Sequence, residues 1–246
     1  MCGRYASTQT DSDLRAVFDI AETVGDELPP AYNVAPTQTV RTVLERAPKD
    51  EPEADAVRQL RSVRWGLIPS WAKDAKIGSR LINARSETIT EKPSFKKAAA
   101  RRRCIVPADG YYEWEKRDGQ KVPYFLHAEA DGRSAGSTPA RVLAMAGLYE
   151  LWRDPAKPED DPDRWLWSVT VLTSPAADAL GHIHDRSPVI VPENMRSDWL
   201  NPAITDLDSV QEMLAAIPEP RLVPYEVSTA VNSVRNNSPE LLTPVG

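Results

Sequence analysis

The first five residues, Met1-Cys2-Gly3-Arg4-Tyr5, contain the most reactive groups in the chain. Removal of Met1 would leave Cys2 at the N terminus, with an α-amine and a thiol on adjacent carbons. Both are partly available as nucleophiles near neutral pH, since such an amine has a pKa of about 8 and a thiol one of about 8.5. The pair can attack an acyl group with the amine as base, or condense with an aldehyde to an imine that the thiol closes to a thiazolidine. Alternatively, Cys2 has no role beyond following the initiator methionine.

Either reaction needs a group that transfers protons. Glu113 stands among aromatic residues in Tyr111-Tyr112-Glu113-Trp114, and such surroundings raise a carboxyl pKa toward the range of a general acid. The alternative is a cross-strand ion pair between Glu113 and a Lys or Arg. His184 is the candidate imidazole, because His182, His184 and Arg186 would lie on one side of an extended segment. A purely structural histidine is the alternative there.

The stretch Asn83-Ala84-Arg85 combines an amide and a guanidinium two residues apart. Together these groups could hold a phosphate or a sugar, because both donate hydrogen bonds and the guanidinium adds a positive charge. In the alternative interpretation, Asn83 caps a turn and Arg85 forms a surface ion pair with Glu87. The residue types alone fit both interpretations.

Side chains that bind metals are few and widely spaced in this chain. Its two cysteines are Cys2 and Cys104, and its three histidines stand at 127, 182 and 184. None of them forms a CxxC or HxxxH pattern, the kind of spacing with which zinc ligands usually occur. We therefore expect no metal and no cofactor. Cys104 lies in an apolar stretch, and we expect it to be a small buried residue.

Charge is distributed unevenly along the chain. The net charge is −6, yet residues 61–121 contain 15 Lys and Arg against 7 Asp and Glu. Such segregation favours a basic face that could meet phosphates. The densest cluster comprises Lys96, Lys97, Arg101, Arg102 and Arg103. Alternatively, these are ordinary solvated residues that the fold scatters.

Three of the seven tryptophans, Trp65, Trp71 and Trp114, fall within the basic segment. Aromatic rings interleaved with cations suit single-stranded nucleic acid, whose bases stack on the rings while its phosphates pair with the cations. For each tryptophan, burial in the core is the alternative.

Length and composition limit the classes of protein to which the chain can belong. With 246 residues and 41% hydrophobic content, the chain can bury a sizeable core. No apolar run approaches the roughly 20 residues that span a bilayer, and no signal peptide is visible, so we expect no membrane partner. Two cysteines cannot form a disulfide framework, and we expect a cytoplasmic protein. Many short strands mixed with short helices, without a repeat or a clear linker, indicate a single α+β domain.

Local patterns predict the elements that would carry these residues. We expect helices from Thr10 or Asp11 onward, with Leu14, Val17 and Phe18 on one face, and at 94–101, 175–180 and 207–217. Strands are predicted at 39–44, 61–67, 104–107, 142–151, 165–172 and 222–227. A hairpin is predicted from 111–117 and 121–126, joined by Asp118-Gly119. Residues 46–57 and 154–163 are acidic and proline-containing, as is typical of exposed loops.

Six motifs stand in the order found in the SRAP (SOS response-associated peptidase) family, which the chain resembles from Cys2 to about Asn232. The motifs are Met1-Cys2-Gly3-Arg4-Tyr5, Tyr32-Asn33-Val34-Ala35-Pro36-Thr37, Trp65-Gly66-Leu67-Ile68-Pro69, Asn83-Ala84-Arg85-Ser86-Glu87, Arg103-Cys104-Ile105-Val106-Pro107-Ala108-Asp109-Gly110-Tyr111-Tyr112-Glu113-Trp114 and His184-Asp185-Arg186-Ser187-Pro188. Six motifs in order are far more specific than any single one. One departure is Ser187, where the family usually has Met after the Arg.

The resemblance implies a single α+β domain over residues 2–246, with a barrel-like mixed sheet and short peripheral helices. Acidic insertions at about 46–57 and 153–163 would be loop variation. It also implies DNA–protein crosslinking, and AP-lyase-type chemistry, at abasic sites in single-stranded DNA. We expect a monomer to carry out this reaction. An N-terminal-nucleophile thiol peptidase or amidohydrolase, which needs no DNA, is the alternative function.

The resemblance also assigns roles by position in the motifs. Cys2 would be the crosslinking residue. Asn83 and Glu113 would flank it, and His184 would complete the catalytic site. The residues implied to bind DNA are Arg4, Asn33, Pro36, Trp65, Trp71 and Arg85.

Overall fold

A computed structural model describes residues 3–47, 54–129, 142–176 and 183–245. Cys2, His182 and residues 177–180 of the predicted helix therefore lie outside the described residues. Helices in the described ranges are α1 Asp11–Phe18, α2 Lys96–Arg101, α3 Arg196–Leu200 and α4 Leu207–Ala216. The strands are β1 Tyr5–Ser7, β2 Glu22–Val24, β3 Ala31–Val34, β4 Thr39–Arg46, β5 Val57–Trp65, β6 Asn83–Arg85, β7 Arg103–Ala108, β8 Gly110–Arg117, β9 Gln120–Ala128, β10 Leu143–Arg153, β11 Trp165–Pro175, β12 Arg186–Pro188 and β13 Leu222–Glu226.

A five-stranded barrel forms the centre of the molecule. The larger sheet has the order β12-β11-β10-β7-β4-β5-β2, and a parallel pairing of β5 with β11 closes five of these strands into a ring. In that pairing Arg64 faces Ser168 and Trp65 faces Val169. Alternate residues of all five strands meet in one apolar cluster, which includes Leu44, Val63 and Cys104. This cluster is the barrel interior, and the predicted burial of Cys104 is confirmed.

The second sheet has the order β13-β9-β8-β1-β3 and packs one face against the barrel. Tyr5 and Tyr111 from this face belong to the interior cluster. Its other face includes Tyr112 and Phe125, which pack with residues of two 3-10 helices, Thr229–Asn232 and Pro239–Leu242. The C-terminal part of the chain thus covers the sheet that begins with the N-terminal strand.

Helices cover the outer face of the barrel, where a second apolar cluster unites Val43, Ile105 and Leu148 with residues of α1, α2 and α4. Helix α1 begins as predicted: the Thr10 hydroxyl accepts from the Asp13 N–H in a capping box, and Leu14 and Phe18 are buried. The chain is therefore an α+β protein, a mixed barrel with a few short helices, as predicted.

The predicted hairpin is confirmed as β8 and β9. Asp118 and Gly119 both have positive φ angles, 50° and 78°, as a two-residue turn between right-twisted strands requires. Tyr111 belongs to the barrel interior, whereas Tyr112 and Trp114 pack on the other face of the sheet. The alternation therefore directs Glu113 toward the same side as Tyr111.

Several predicted boundaries were wrong. Strand β4 continues to Arg46 and β5 already begins at Val57, so these strands include both ends of the predicted loop at 46–57. Strand β11 continues to Pro175, where a helix was expected to begin. Both errors have the same cause, because sheet pairing with neighbouring strands outweighs local propensity.

The basic cluster at 96–103 does not form a uniform surface. Lys96, Lys97 and Arg101 are exposed, but Arg102 forms an ion pair with Glu150 at 2.8 Å. Arg103 is 2% exposed. Its guanidinium donates to the backbone carbonyls of Ala99, Ala100, Trp199, Asn201 and Ile204. Burial lowers the pKa of Arg103 to about 10, so the group stays charged.

Replacing Arg103 by Met should destabilise the folded protein far more than replacing its neighbour Arg101 by Met. Arg103→Met leaves buried carbonyls without a donor, at a cost of about 1–3 kcal/mol for each that water cannot reach. We expect a loss of at least about 3 kcal/mol in the free energy of unfolding, measured by urea titration. Arg101→Met should change it by less than about 0.5 kcal/mol. Equal effects of the two substitutions would contradict the structural role of Arg103.

Candidate functional site

The candidate residues gather around one end of β11. Strand β6 pairs with β11 in parallel, so that Asn83 faces Val171 and Arg85 faces Thr173. Strand β12 pairs with the same strand end, where Arg186 faces Pro175. Residues 83–85 and 184–186, which are a hundred positions apart in the sequence, are thereby brought to the same end of the barrel.

His184 and Glu113 meet in a small pocket whose lining also includes Tyr111, Ile183 and Arg186. The strand residue opposite Glu113 on β9 is Tyr124, so the cation expected from a cross-strand ion pair is not at that position. Glu113 is 4% exposed. Burial raises the pKa of Glu113, and the nearby His184 lowers it only in part. The raised pKa agrees with what the aromatic surroundings predicted, while the role of Glu113 as a general acid stays a prediction.

Two groups compete for the Nδ1 atom of His184. The backbone N–H of Arg186 donates to it at 3.0 Å, and a carboxylate oxygen of Asp185 lies 2.9 Å from it. In the neutral ring, Nδ1 accepts from the fixed N–H, and the proton is therefore on Nε2. These contacts at Nδ1 fix the orientation of the imidazole ring in the pocket.

The N-terminal strand leads directly to Glu113. In the antiparallel pairing of β1 with β8, Tyr5 faces Tyr111, and the N–H of Tyr112 donates to the carbonyl of Arg4 at 2.9 Å. Continued by two residues, this register places Gly3 opposite Glu113. Gly3 is the first described residue.

Arg4 and Asn33 form a clamp on the C-terminal segment. One nitrogen of Arg4 donates to Asn33 Oδ1 at 2.7 Å and to the Val231 carbonyl at 2.8 Å. The amide nitrogen of Asn33 donates to the carbonyls of Val231, Ser233 and Asn236. Asn33 is buried and its amide is engaged by the protein, so the expected DNA contact is wrong for this residue. Burial lowers the pKa of Arg4. The guanidinium carbon of Arg4 lies 5.8 Å from the centre of the Trp114 ring.

The two tryptophans expected to bind DNA differ sharply in exposure. Trp65 is 1% exposed, packs edge-on against Tyr5 and donates from Nε1 to the Ile82 carbonyl at 2.9 Å. It cannot offer a ring face to a base, and that prediction was wrong. Trp71 is 58% exposed and is free to stack. Pro36 is half-buried, in the turn before β4.

Arg186 was noticed in the sequence only as a neighbour of His184, yet it organises this end of the barrel. Its guanidinium binds both carboxylate oxygens of Glu87, at 2.6 and 2.9 Å, and donates to the Thr173 carbonyl. This pairing lowers the pKa of Glu87 to about 2. The alternative interpretation, an ion pair of Arg85 with Glu87, was therefore wrong, because Glu87 is held by Arg186. Arg85 is exposed, and within the described ranges its guanidinium forms no ion pair.

Replacing Glu113 by Gln should stabilise the protein at neutral pH. Because the folded-state pKa of Glu113 is raised, the folded protein holds the proton to higher pH, and stability falls as pH rises past the unfolded-state value. Each unit of difference corresponds to about 1.4 kcal/mol. Glu113→Gln should therefore raise the melting temperature at pH 7.5, and the gain should vanish below about pH 4, where both states are protonated.

The control is Glu129→Gln, a substitution of an exposed carboxyl just after β9 of the same sheet, which should show no such pH-dependent gain. Thermal unfolding of the three proteins between pH 3.5 and 8 measures the difference. A melting temperature of Glu113→Gln at or below wild type across this range would contradict the burial cost assigned to Glu113.

Within the described parts of the chain, no three His, Cys, Asp or Glu side chains come together as metal ligands would. Nor does any helix there have the length and apolar character needed to cross a bilayer.

Comparisons with known structures support the fold. A crystal structure of a protein from Bacteroides thetaiotaomicron superposes with a TM-score of 0.77 at 22% identity, covering 99% of this chain and all of that one. Another, from Bordetella bronchiseptica, gives a TM-score of 0.69 at 28% identity, covering 92% of this chain and 100% of that one.

Comparisons with known sequences identify the family. The abasic site processing protein YoqW of Bacillus subtilis (strain 168) is 39% identical over 244 residues, covering 98% of this chain and 99% of that protein. The abasic site processing protein HMCES of Gallus gallus is 30% identical over 269 residues, covering 100% of this chain and 78% of that protein. The family model described as SOS response associated peptidase (SRAP) matches residues 1–234. This chain, with Glu113, His184 and Asn83 at one end of its barrel, belongs to the SRAP family.

Proposed function

We propose that this protein processes abasic sites by forming a covalent crosslink between Cys2 and the lesion in single-stranded DNA. The observation that carries the proposal is the position of Glu113, a buried carboxyl with a raised pKa beside His184, at the point reached by the N-terminal strand. Cys2 is joined to Gly3 by one peptide bond, which limits the distance between consecutive Cα atoms to about 3.8 Å. The names of the relatives YoqW and HMCES agree with this substrate.

The proposed reaction begins with opening of the abasic sugar ring, which exposes C1′ as an aldehyde. His184 assists by donating a proton to the ring oxygen while the C1′ hydroxyl releases its own proton to water. The Cys2 α-amine, freed by removal of Met1, adds to C1′ and forms a carbinolamine. Glu113 donates the proton with which the hydroxyl leaves as water, and an imine results.

The thiol of Cys2 then adds to the imine carbon, its proton passes to the nitrogen, and the five-membered thiazolidine closes. Overall, an amine, a thiol and an aldehyde give one thiazolidine and one water. Without the thiol, the imine could proceed to β-elimination and break the strand. The thiol is thus the group that protects the lesion.

The remaining residues hold the DNA. Asn83, on β6 beside β11, positions the sugar or the amine, and Arg85 pairs with a neighbouring phosphate, for which its exposed guanidinium is available. Trp71 supplies the exposed ring for base stacking. Arg4 adds positive charge near the N terminus while it holds the C-terminal segment, and Pro36 shapes the adjacent turn.

A matched pair of cysteine substitutions tests the proposal. Cys2→Ala removes the thiol that closes the ring, whereas Cys104→Ala removes the other cysteine of the chain, which is buried in the barrel interior. Each full-length protein is mixed with a single-stranded oligonucleotide that contains one abasic site. Stable crosslinks, seen as a shifted band on a denaturing gel, should form with wild type and Cys104→Ala and be lost with Cys2→Ala.

Intact-mass spectrometry of the same samples should show that Met1 is absent and that the crosslink adds the oligonucleotide mass minus one water. Unchanged crosslinking by Cys2→Ala would refute the proposal. The alternative suggested by the family's name, a thiol peptidase or amidohydrolase, predicts alkylation of Cys2 by glutamine-like inhibitors without DNA and no crosslink.

Replacing Trp71 by Ala should weaken binding of unmodified single-stranded DNA. Stacking of a base on an aromatic ring contributes about 1–3 kcal/mol, so the dissociation constant should rise at least about fivefold. Fluorescence anisotropy at fixed salt measures it. Val234→Ala, which trims another exposed apolar residue, is the control and should leave the constant unchanged.

A further inference from the structure

Two arginines share one aromatic ring at the end of the barrel remote from Asn83 and His184. The guanidinium carbons of Arg46 and Arg61 lie 5.1 and 4.4 Å from the ring centre of Trp167. Trp167 also stacks on Tyr149, with ring centres 5.6 Å apart and planes inclined by 12°. The cluster therefore has a rigid aromatic floor with two positive charges above it.

The fold places this cluster at the barrel mouth. Arg46 continues the inward-facing alternation of Leu44 on β4, and Arg61 precedes Val63 on the inward face of β5. Both arginines and Trp167 are half-buried, at the boundary between the packed interior and solvent. Trp167 lies four residues before Val171, the partner of Asn83, which is about 13 Å along the strand.

No described carboxylate contacts either arginine of this pair directly. Arg61 donates from Nε to the Gln59 side-chain oxygen at 2.8 Å, and Arg46 donates to the Ala47 carbonyl at 3.4 Å. Gln59 in turn donates to the exposed Glu22 at 2.6 Å. Neither arginine forms an ion pair within the ranges that the structure describes. Burial and the like charge of Arg46 lower the pKa of Arg61, and the carboxylate of Glu22, beyond Gln59, offsets this only in part.

This arrangement contrasts with two other partly buried arginines of the barrel. Arg58, on the same strand as Arg61, pairs with Glu45 at 2.8 Å, and Arg102 pairs with Glu150 at the same distance. Two neighbouring guanidiniums that no described carboxylate pairs with directly repel each other, and an anion bound between them would relieve this cost. Planar guanidiniums recognise phosphate oxygens through paired hydrogen bonds.

The rim of the barrel mouth carries a further arginine and a further tryptophan beside Arg46, Arg61 and Trp167. Trp165 and Arg153 face each other across β10 and β11, and both are exposed, Trp165 to 53%. They follow the same inward-facing alternation as Trp167. A phosphate held by the two arginines would therefore have a third guanidinium and a free ring beside it.

We propose that Arg46, Arg61 and Trp167 form a second binding site, which takes a phosphate group at the barrel mouth opposite the crosslinking site. The phosphate belongs either to the backbone of a bound nucleic acid strand or to a small phosphorylated molecule. The site is independent of the crosslinking chemistry, because its residues neither touch nor position Glu113, His184 or Asn83.

The test uses the full-length double variant Arg46→Gln/Arg61→Gln. Its charge-matched control is Lys116→Gln/Lys121→Gln, which removes two exposed cations that face each other on the β8–β9 hairpin. The first measurement compares melting temperatures in sodium phosphate and in sodium chloride of equal ionic strength. Phosphate should raise the melting temperature of wild type and of the control, because a ligand that binds only the folded state stabilises it. The double Arg variant should show no such gain.

The second measurement is the salt dependence of binding to an unmodified single-stranded oligonucleotide. If the site holds a backbone phosphate, the slope of log affinity against log salt should fall by about 0.7 in the double Arg variant, the value for one phosphate contact. A gain from free phosphate without a change of slope assigns the site to a small phosphorylated molecule. A double Arg variant that matches wild type in both measurements, or a control that loses both effects equally, would overturn the proposal.

Two further measurements keep folding and function separate. Circular dichroism shows whether the double Arg variant is folded. If it is not, Arg46→Lys/Arg61→Lys is measured in its place. This variant keeps both charges but loses the planar donors, so it should weaken the phosphate effect. Unchanged phosphate stabilisation in the folded lysine variant would count against the site. Crosslinking to an abasic oligonucleotide should be retained by the double Arg variant, so that failure of this proposal is distinct from failure of the proposed function.

Discussion

The parallel pairing of β5 with β11 is the constraint on which the rest of the structure depends. It closes the barrel and makes β11 the shared neighbour of β5, β6, β10 and β12. A closed barrel has no unpaired edge at this seam, and its interior residues are held on all sides. Because β11 runs the length of the barrel, it fixes the distance between Asn83 near one end and Trp167 near the other.

Burial decides what each charged group can do. Arg103 is surrounded by backbone carbonyls and is structural, whereas burial of Glu113 raises the pKa of its carboxyl. Arg186 and Glu87 neutralise each other beside His184, which leaves Arg85 as an exposed cation on β6. The same physical cost, removal of a charge from water, thus explains the five carbonyls around Arg103, the raised pKa of Glu113 and the pairing of Arg186 with Glu87.

Residues with strong local signals were predicted correctly. The Thr10 cap, the helical spacing of Leu14 and Phe18, and the Asp118-Gly119 turn act within a few residues of themselves, so their structures follow from the nearby sequence. The ends of β4 and β11 were not predicted, since pairing with strands distant in sequence extends them. Residues of the same type that are close in the sequence also differ in burial: Arg101 is exposed, whereas Arg103 is buried.

The sequence by itself determined the chemical inventory and the family: a cysteine after the initiator, a carboxyl among aromatics, a histidine before Asp-Arg, and six motifs in order. Only the tertiary structure decided which of these groups meet and which are available. It placed Trp65 in the core and left Trp71 in solvent, engaged Asn33 with three carbonyls, and set Arg46 beside Arg61. The reason is physical: exposure and charge pairing depend on contacts between residues far apart in the chain, which no local pattern specifies.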